Sequence, residues 1–199
     1  MSAPFNEKAE DIRNKRKIQI MNAALKVFAE SGIKLTKISM ITHEAGISHG
    51  LLYHYFNSKE EVLHASLEWA LSTTEEFIQE VKNLNATPLG KIREFTKSAF
   101  LEGNSNIFRI IQHISKAENI PQNTIDLIEN TGEIYDEQLL PLFKEAQELG
   151  EIIQHDVREL LDLYLTVLSG VIMTEDLASF KKNIDQKIDL FLRMIAVCK

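Results

Sequence analysis

Residues 32–61, GIKLTKISMITHEAGISHGLLYHYFNSKEE, decide the fold. Ile38, Ile41 and Ala45 recur at i, i+3 and i+7, which gives a short helix one apolar face and leaves Lys37, Thr42, His43 and Glu44 on the other. Gly46 stops that helix, because glycine accepts the left-handed backbone that a helix end requires. Ser48 caps the next helix by accepting a hydrogen bond from a free backbone amide, and that helix is expected from about His49 to Phe56. Two short helices around a glycine turn are the layout of a DNA-reading helix-turn-helix.

On the second helix Leu52 and Phe56, at i and i+4, face inward and leave His49, Gly50, Tyr53 and His54 as an outward stripe. A helix laid in a major groove offers such residues to base edges, with flanking hydroxyls and cations held against phosphates. Ser58 and Glu61 form a capping box that starts a further helix, whose positive dipole end lies beside Lys59 and suits a phosphate.

These residues carry a resemblance. Gly32, Thr36, Ile38, Ile41, Ala45-Gly46-Ile47-Ser48, Gly50, Leu52-Tyr53-His54-Tyr55-Phe56 and Lys59-Glu60-Glu61 resemble, in order and spacing, the N-terminal signature of the tetracycline-repressor (TetR) family of bacterial transcriptional regulators. The run departs from the family at Leu51, where Thr or Ser is usual, at His49, where Lys is common, and at Thr42, where Ala is usual. The resemblance implies an all-α protein with residues 1–57 as a three-helix DNA-binding domain and 58–199 as a helical ligand-binding and dimerisation domain. It implies that His49, Gly50, Tyr53 and His54 face the groove while Thr36, Lys37, Ser48, Tyr55 and Lys59 hold phosphates.

With 199 residues, 44% of them hydrophobic, the chain can bury one small reader and one larger helical body. The N-terminal stretch MSAPFNEKAEDIRNKRK lacks the apolar core of a signal peptide, and no run approaches the roughly 18 apolar residues of a membrane span, so a cytoplasmic protein without membrane contact is expected. Cys198 stands alone and receives no role. The net charge of -7 is divided unevenly: residues 1–60 hold nine Lys/Arg against six acids, and the remainder 13 against 23. A positive N-terminal region on a negative body fits a nucleic-acid face, to which Arg13, Lys15, Arg16 and Lys17 contribute.

The first helix is expected over about Asp11–Ser31, with Met21, Ala24, Leu25 and Phe28 packing on the reader and Gly32 ending it. One long helix is expected from Lys59 to about Asn83 as the bridge to the body. Thr87-Pro88 caps the next helix, Asn104–Ala117 forms a short apolar one, and Pro121 opens a segment that Pro141 should bend or break. Asp156 and Glu159 cap a helix carrying Leu161, Leu165, Leu168 and Ile172, and the last helix carries Ile184, Ile188, Phe191, Leu192 and Ile195. No strand-like alternation or internal repeat occurs.

The apolar stripes of the last two helices fit either their own core or a four-helix bundle with a second copy. The resemblance tips the choice to a homodimer presenting two readers to a palindromic operator. Its seam is then Leu161, Leu165, Leu168, Ile172, Ile188, Phe191, Leu192 and Ile195, with Ser169-Gly170 permitting close approach. The resemblance also implies a cavity for a small, largely apolar effector that releases the operator, with Trp69, Phe77, Phe100, Phe108, Ile111, His113, Tyr135 and Tyr164 as its candidate lining. Each of those residues is also a natural core residue.

The sequence bears on two other functions. An enzyme would need a nucleophile, metal or nucleotide motif, and the six histidines form no HExxH pair or metal-spaced cluster, nor is there a glycine-rich phosphate loop, so no cofactor or metal is expected. A helical scaffold would have no need of Tyr53, His54, Tyr55 and Lys59 as an outward aromatic stripe beside a cation.

Overall fold

A computed structural model of the chain describes residues 3–174 and 182–197, so Cys198 lies outside the described residues. The chain forms two compact units: Met1–Ser72 with Arg109–Leu127, and Thr73–Phe108 with Ile128–Lys199. Apart from a single antiparallel bridge between Ile152 and Ala196, every regular element among the described residues is helical. None of these helices is long and apolar enough to cross a membrane.

In the first unit α1 (Ala3–Leu35), α2 (Ile38–Ala45), α3 (His49–Tyr53) and α4 (Lys59–Leu71) share one small core. Ile20, Ala24, Leu25, Phe28, Ile41, Leu52, Phe56, Val62, Leu63 and Leu67 are all buried in it. The first helix extends beyond both expected ends, but Gly32 still interrupts it with φ 74 and ψ 163, a backbone that a side chain would strain. Residues 109–121, the second half of α7 (Ser105–Ile114) and the chain beyond it, complete this unit together with the first turns of α8 (Gln122–Glu148).

The expected bridge Lys59–Asn83 is two helices, α4 and α5 (Thr74–Lys82). The break falls on Ser72-Thr73, where the Ser72 hydroxyl donates to the Trp69 carbonyl at 2.8 Å and so offers the backbone an alternative to the next helical bond. Pro141, by contrast, does not end α8, which continues through it to Glu148. One missing amide donor costs less than unpacking a helix whose Leu139, Leu142, Phe143 and Ala146 are all buried.

The second unit packs α5, α6 (Pro88–Glu102), most of α8, α9 (Val157–Ile172) and α10 (Ile184–Leu192) around one apolar cluster. The expected caps are in place: Thr87 accepts from the Gly90 amide, and Asp156 from the amides of Arg158 and Glu159. The Ile153 amide donates to the Ile195 carbonyl and the Val197 amide to the Glu151 carbonyl, which fastens the chain after α10 to the start of the α9 connection.

Candidate nucleic-acid interface

The turn between α2 and α3 follows from three residues. Gly46 takes φ 64 and ψ 37 and its amide closes on the His43 carbonyl; the Ile47 amide closes on Thr42. Ser48, in extended backbone, accepts from the Leu51 amide at 3.2 Å and starts α3. Leu52 and Phe56 bury fully beneath it, which turns His49, Gly50, Tyr53 and His54 outward. Tyr53 is 53% exposed, and His54 meets Tyr55 edge-on with ring centroids 5.4 Å apart. A Cβ placed on Gly50 meets no atom within 4 Å, so the backbone there lies open to whatever docks on the face.

Side chains of α1 reach this turn. Gln19 donates to the Ala45 carbonyl at 2.6 Å and receives Arg16 at 2.7 Å, while the Lys17 ammonium stands 5.7 Å from the centre of the Phe56 ring. These contacts hold Arg16 and Lys17 beside the end of α2 and the base of α3. Gln19 carries no motif, and the sequence contains no signal that would have singled it out. Lys26 pairs with Glu44 at 2.8 Å, and that carboxylate raises its pKa above the ordinary lysine value.

Residues 20–66 match the family described as bacterial regulatory proteins, tetR family. The HTH-type transcriptional regulator UidR of Escherichia coli is 30% identical over 170 residues, spanning 80% of this chain and 83% of that protein. The chain belongs to the tetR family. The fatty acid metabolism regulator protein of Bacillus subtilis is 29% identical over 180 residues, or 87% of each chain. A solved structure of the regulator FadR from B. subtilis, in complex with stearoyl-CoA, shares the fold with a TM-score of 0.65 at 24% identity, covering 88% of this chain and 95% of that one. As a tetR-family member the protein is a DNA-binding transcriptional regulator rather than an enzyme, and it reads DNA through the helix-turn-helix.

Within this tetR-family reader the expected contacts divide. Lys37, Ser48, His49, Gly50, Tyr53 and His54 are exposed, and Tyr55 is half-buried. Thr36 is not at the surface: it is 2% exposed and its hydroxyl donates to the Gly32 carbonyl at 2.8 Å. Lys59 is half-buried, and its ammonium donates to the Ile33 carbonyl at 2.9 Å instead of standing free at the start of α4. Thr42, read as an outward residue, is also buried, its hydroxyl donating to the Ser39 carbonyl. A short polar side chain at helical spacing satisfies itself on a nearby carbonyl as readily as on solvent, and spacing does not tell the two apart.

Five of the eight candidate lining residues gather at the apolar cluster of the second unit: Phe100 and Tyr164 belong to it, and Phe77, Phe108 and Tyr135 pack against it. Trp69, Ile111 and His113 fall in the reader's unit, where Trp69 is exposed. Phe77, Phe100, Phe108, Tyr135 and Tyr164 fall in the other. There Phe100 and Tyr164 are fully buried core: Phe100 packs edge-on to Phe191, and Tyr164 packs on both Phe143 and Phe191 at 5.1 and 5.4 Å. The Tyr164 hydroxyl donates to Thr96, which donates in turn to the Ile92 carbonyl, and burial pushes the phenol above its ordinary pKa. Tyr135 meets Phe95, which meets Phe77, so these rings form a second stack; burial raises the Tyr135 phenol too.

The expected dimer seam is likewise core. Leu161, Leu168, Ile172, Ile188, Phe191, Leu192 and Ile195 bury against their own chain, and Leu165 is half-buried on the same cluster. The exposed residues of α9 are Arg158, Glu159, Asp162, Leu163, Thr166 and Gly170, of which Leu163, Thr166 and Gly170 stand at i, i+3 and i+7; Leu190 on α10 and Met194 just beyond it are also exposed. An apolar stripe at helical spacing serves its own core first.

Proposed function

We propose that this regulator is a cytoplasmic homodimer that represses from a palindromic operator and leaves it when a long-chain acyl thioester occupies its body. Residues 1–57 act as the reading domain and 58–199 as the ligand and dimerisation domain. His49, Gly50, Tyr53 and His54 face the bases, and Lys37, Ser48, Tyr55 and the α1 cations Arg16 and Lys17 hold the phosphates. The observation that carries this reading is the outward set on α3 over a fully buried Leu52 and Phe56, with Gly50 open to close approach. Leu163, Thr166, Gly170, Leu190 and Met194 supply the dimer face, where Gly170 has open space around its Cα.

The relatives support the effector class. The B. subtilis relative is a fatty acid metabolism regulator, and the structural neighbour FadR was solved with stearoyl-CoA. A body rich in Phe and Ile fits an acyl chain, and occupation of the body and of the operator then weaken each other by the same factor.

The test is titration of DNA from upstream of the chain's own gene at two salt concentrations, with and without stearoyl-CoA. Saturable binding that survives scrambled competitor, and falls when stearoyl-CoA is added, is expected. Lys37→Ala should lower the salt slope by about one unit, whereas Lys59→Ala, whose ammonium is bonded to Ile33, should leave the slope unchanged. Binding that competitor abolishes overturns the operator reading; binding indifferent to stearoyl-CoA overturns the effector class alone.

A further inference from the structure

The kink at Gly32 is held by side chains from three places in the chain. The Thr36 hydroxyl donates to the Gly32 carbonyl, and Lys59 of α4 donates to the Ile33 carbonyl. His113, in the last turn of α7, places Nε2 3.1 Å from the Ala29 carbonyl of α1. A carbonyl only accepts, so Nε2 carries the proton and donates. The imidazole also lies over Gly32, where a Cβ would stand 3.7 Å from its Nδ1. The Gly32 carbonyl also accepts the Thr36 amide at 3.2 Å, so the last turn of α1 is tied by backbone and side-chain donors together.

Packing does not do this holding by itself. A groove of about 710 Å³ opens beside the kink, lined among others by Ser31, Gly32, Lys59, His113 and Pro121. One side of the hinge therefore faces open space, and its position depends on directed bonds. The segment bearing His113 is seated by a second bond, between His64 Nδ1 of α4 and the buried Thr124 hydroxyl at the start of α8.

We propose that His113 is the positioning residue through which α7 sets the hinge of the reader: its bond to Ala29 and its ring over Gly32 fix the kink from which α2 and α3 are hung. Displacement of α7 along its axis withdraws the imidazole, frees the Ala29 carbonyl and loosens residues 29–36 before any other part of the reader. His113 touches neither DNA nor effector in this role. The link from effector to hinge rests on the function proposed above, but the clamp itself does not.

The experiment is hydrogen exchange read by mass spectrometry on the full-length protein, as wild type, His113→Leu and His113→Gln. The Leu variant keeps bulk and loses the donor, and the Gln variant restores an amide donor. His113→Leu should speed exchange by roughly three- to tenfold, the loss of about one hydrogen bond, in peptides covering 29–36 while Leu52–Phe56 and α9 exchange as in wild type. His113→Gln should return those peptides to the wild-type rate. Stearoyl-CoA added to wild type should reproduce the change, and added to His113→Leu should add nothing. Unchanged exchange at 29–36 in His113→Leu, or a uniform rise across the whole unit that Gln does not reverse, overturns the clamp. Operator affinity of the same three proteins is read in parallel, and a wild type that binds no upstream DNA overturns the operator reading while the exchange comparison still decides the clamp.

Discussion

The reader and the last two helices of the body are both short amphipathic segments, yet one announces its exposed face and the other does not. In α2 and α3 the outward side carries residues a core rarely takes unpartnered, namely Lys37, His49, Tyr53 and His54, and the stop and caps at Gly46, Ser48 and Ser58 stand at set offsets from them. In α9 and α10 the apolar residues occur on both sides, so that Leu192 is buried while Leu190, two residues away, is 66% exposed. Periodicity finds a face; only residues of unlike chemistry on the opposite side say what that face is for.

The sharpest way to break that comparison is to cut the two leucines separately. Leu192→Ala removes buried apolar volume and should lower stability to urea by about 2–5 kcal/mol. Leu190→Asp should change chain stability by no more than about 0.5 kcal/mol, yet convert the sedimenting species to one of 22.7 kDa. If Leu190→Asp unfolds the chain and Leu192→Ala does not, the faces have been assigned the wrong way round.

A smaller effect is expected at the buried hydroxyl pair. Thr96→Val leaves the Tyr164 hydroxyl without its acceptor inside the core and should cost about 1–3 kcal/mol. The raised Tyr164 pKa sets the sign of the alkaline response. Folding favours the neutral phenol, so its contribution is complete below the ordinary value of 10.0 and is lost as pH climbs from there toward the folded value. Stability of the wild type should therefore fall through that window, and Tyr164→Phe should flatten the fall; equal slopes in the two proteins would remove Tyr164 from the account.

On the reader, the smallest stability change should accompany a plain functional loss. Gly50→Ala fills open space and replaces the poorer helix former, so thermal stability should hold or rise by up to about 1 kcal/mol. On the proposed reading the added methyl stands between the α3 backbone and DNA, so operator affinity should drop by roughly tenfold, as a gel-shift titration would show. Undiminished affinity would mean that α3 does not approach the groove at Gly50.

Much of the fold was legible because its punctuation is chemical. Gly46, Ser48, Ser58, Thr87 and Asp156 each stop or cap a helix where their backbone and side-chain chemistry requires. The break at Ser72-Thr73 was hidden because apolar residues keep the helical period across it, and α8 is not broken at Pro141 because the packing of its neighbours outweighs one lost amide bond. In the site, the exposed stripe of α3 was readable from Leu52 and Phe56 opposite it. The inward turns of Thr36 and Lys59 were not, since each donates to a carbonyl in the last turn of α1, and for Lys59 that carbonyl lies 26 residues away and is brought within reach only by packing.

Local chemistry along the chain therefore determined the helix-turn-helix, its caps, the all-helical body and the family. Tertiary structure alone decided which apolar stripe became core, which polar groups turned inward, and that His113, read as a ligand contact, reaches the hinge at Ala29 and Gly32. The physical reason is range. Caps, turns and helical faces are set by neighbours within four or five residues, whereas the partner of a buried face or an unbonded carbonyl lies tens of residues away and is chosen by packing.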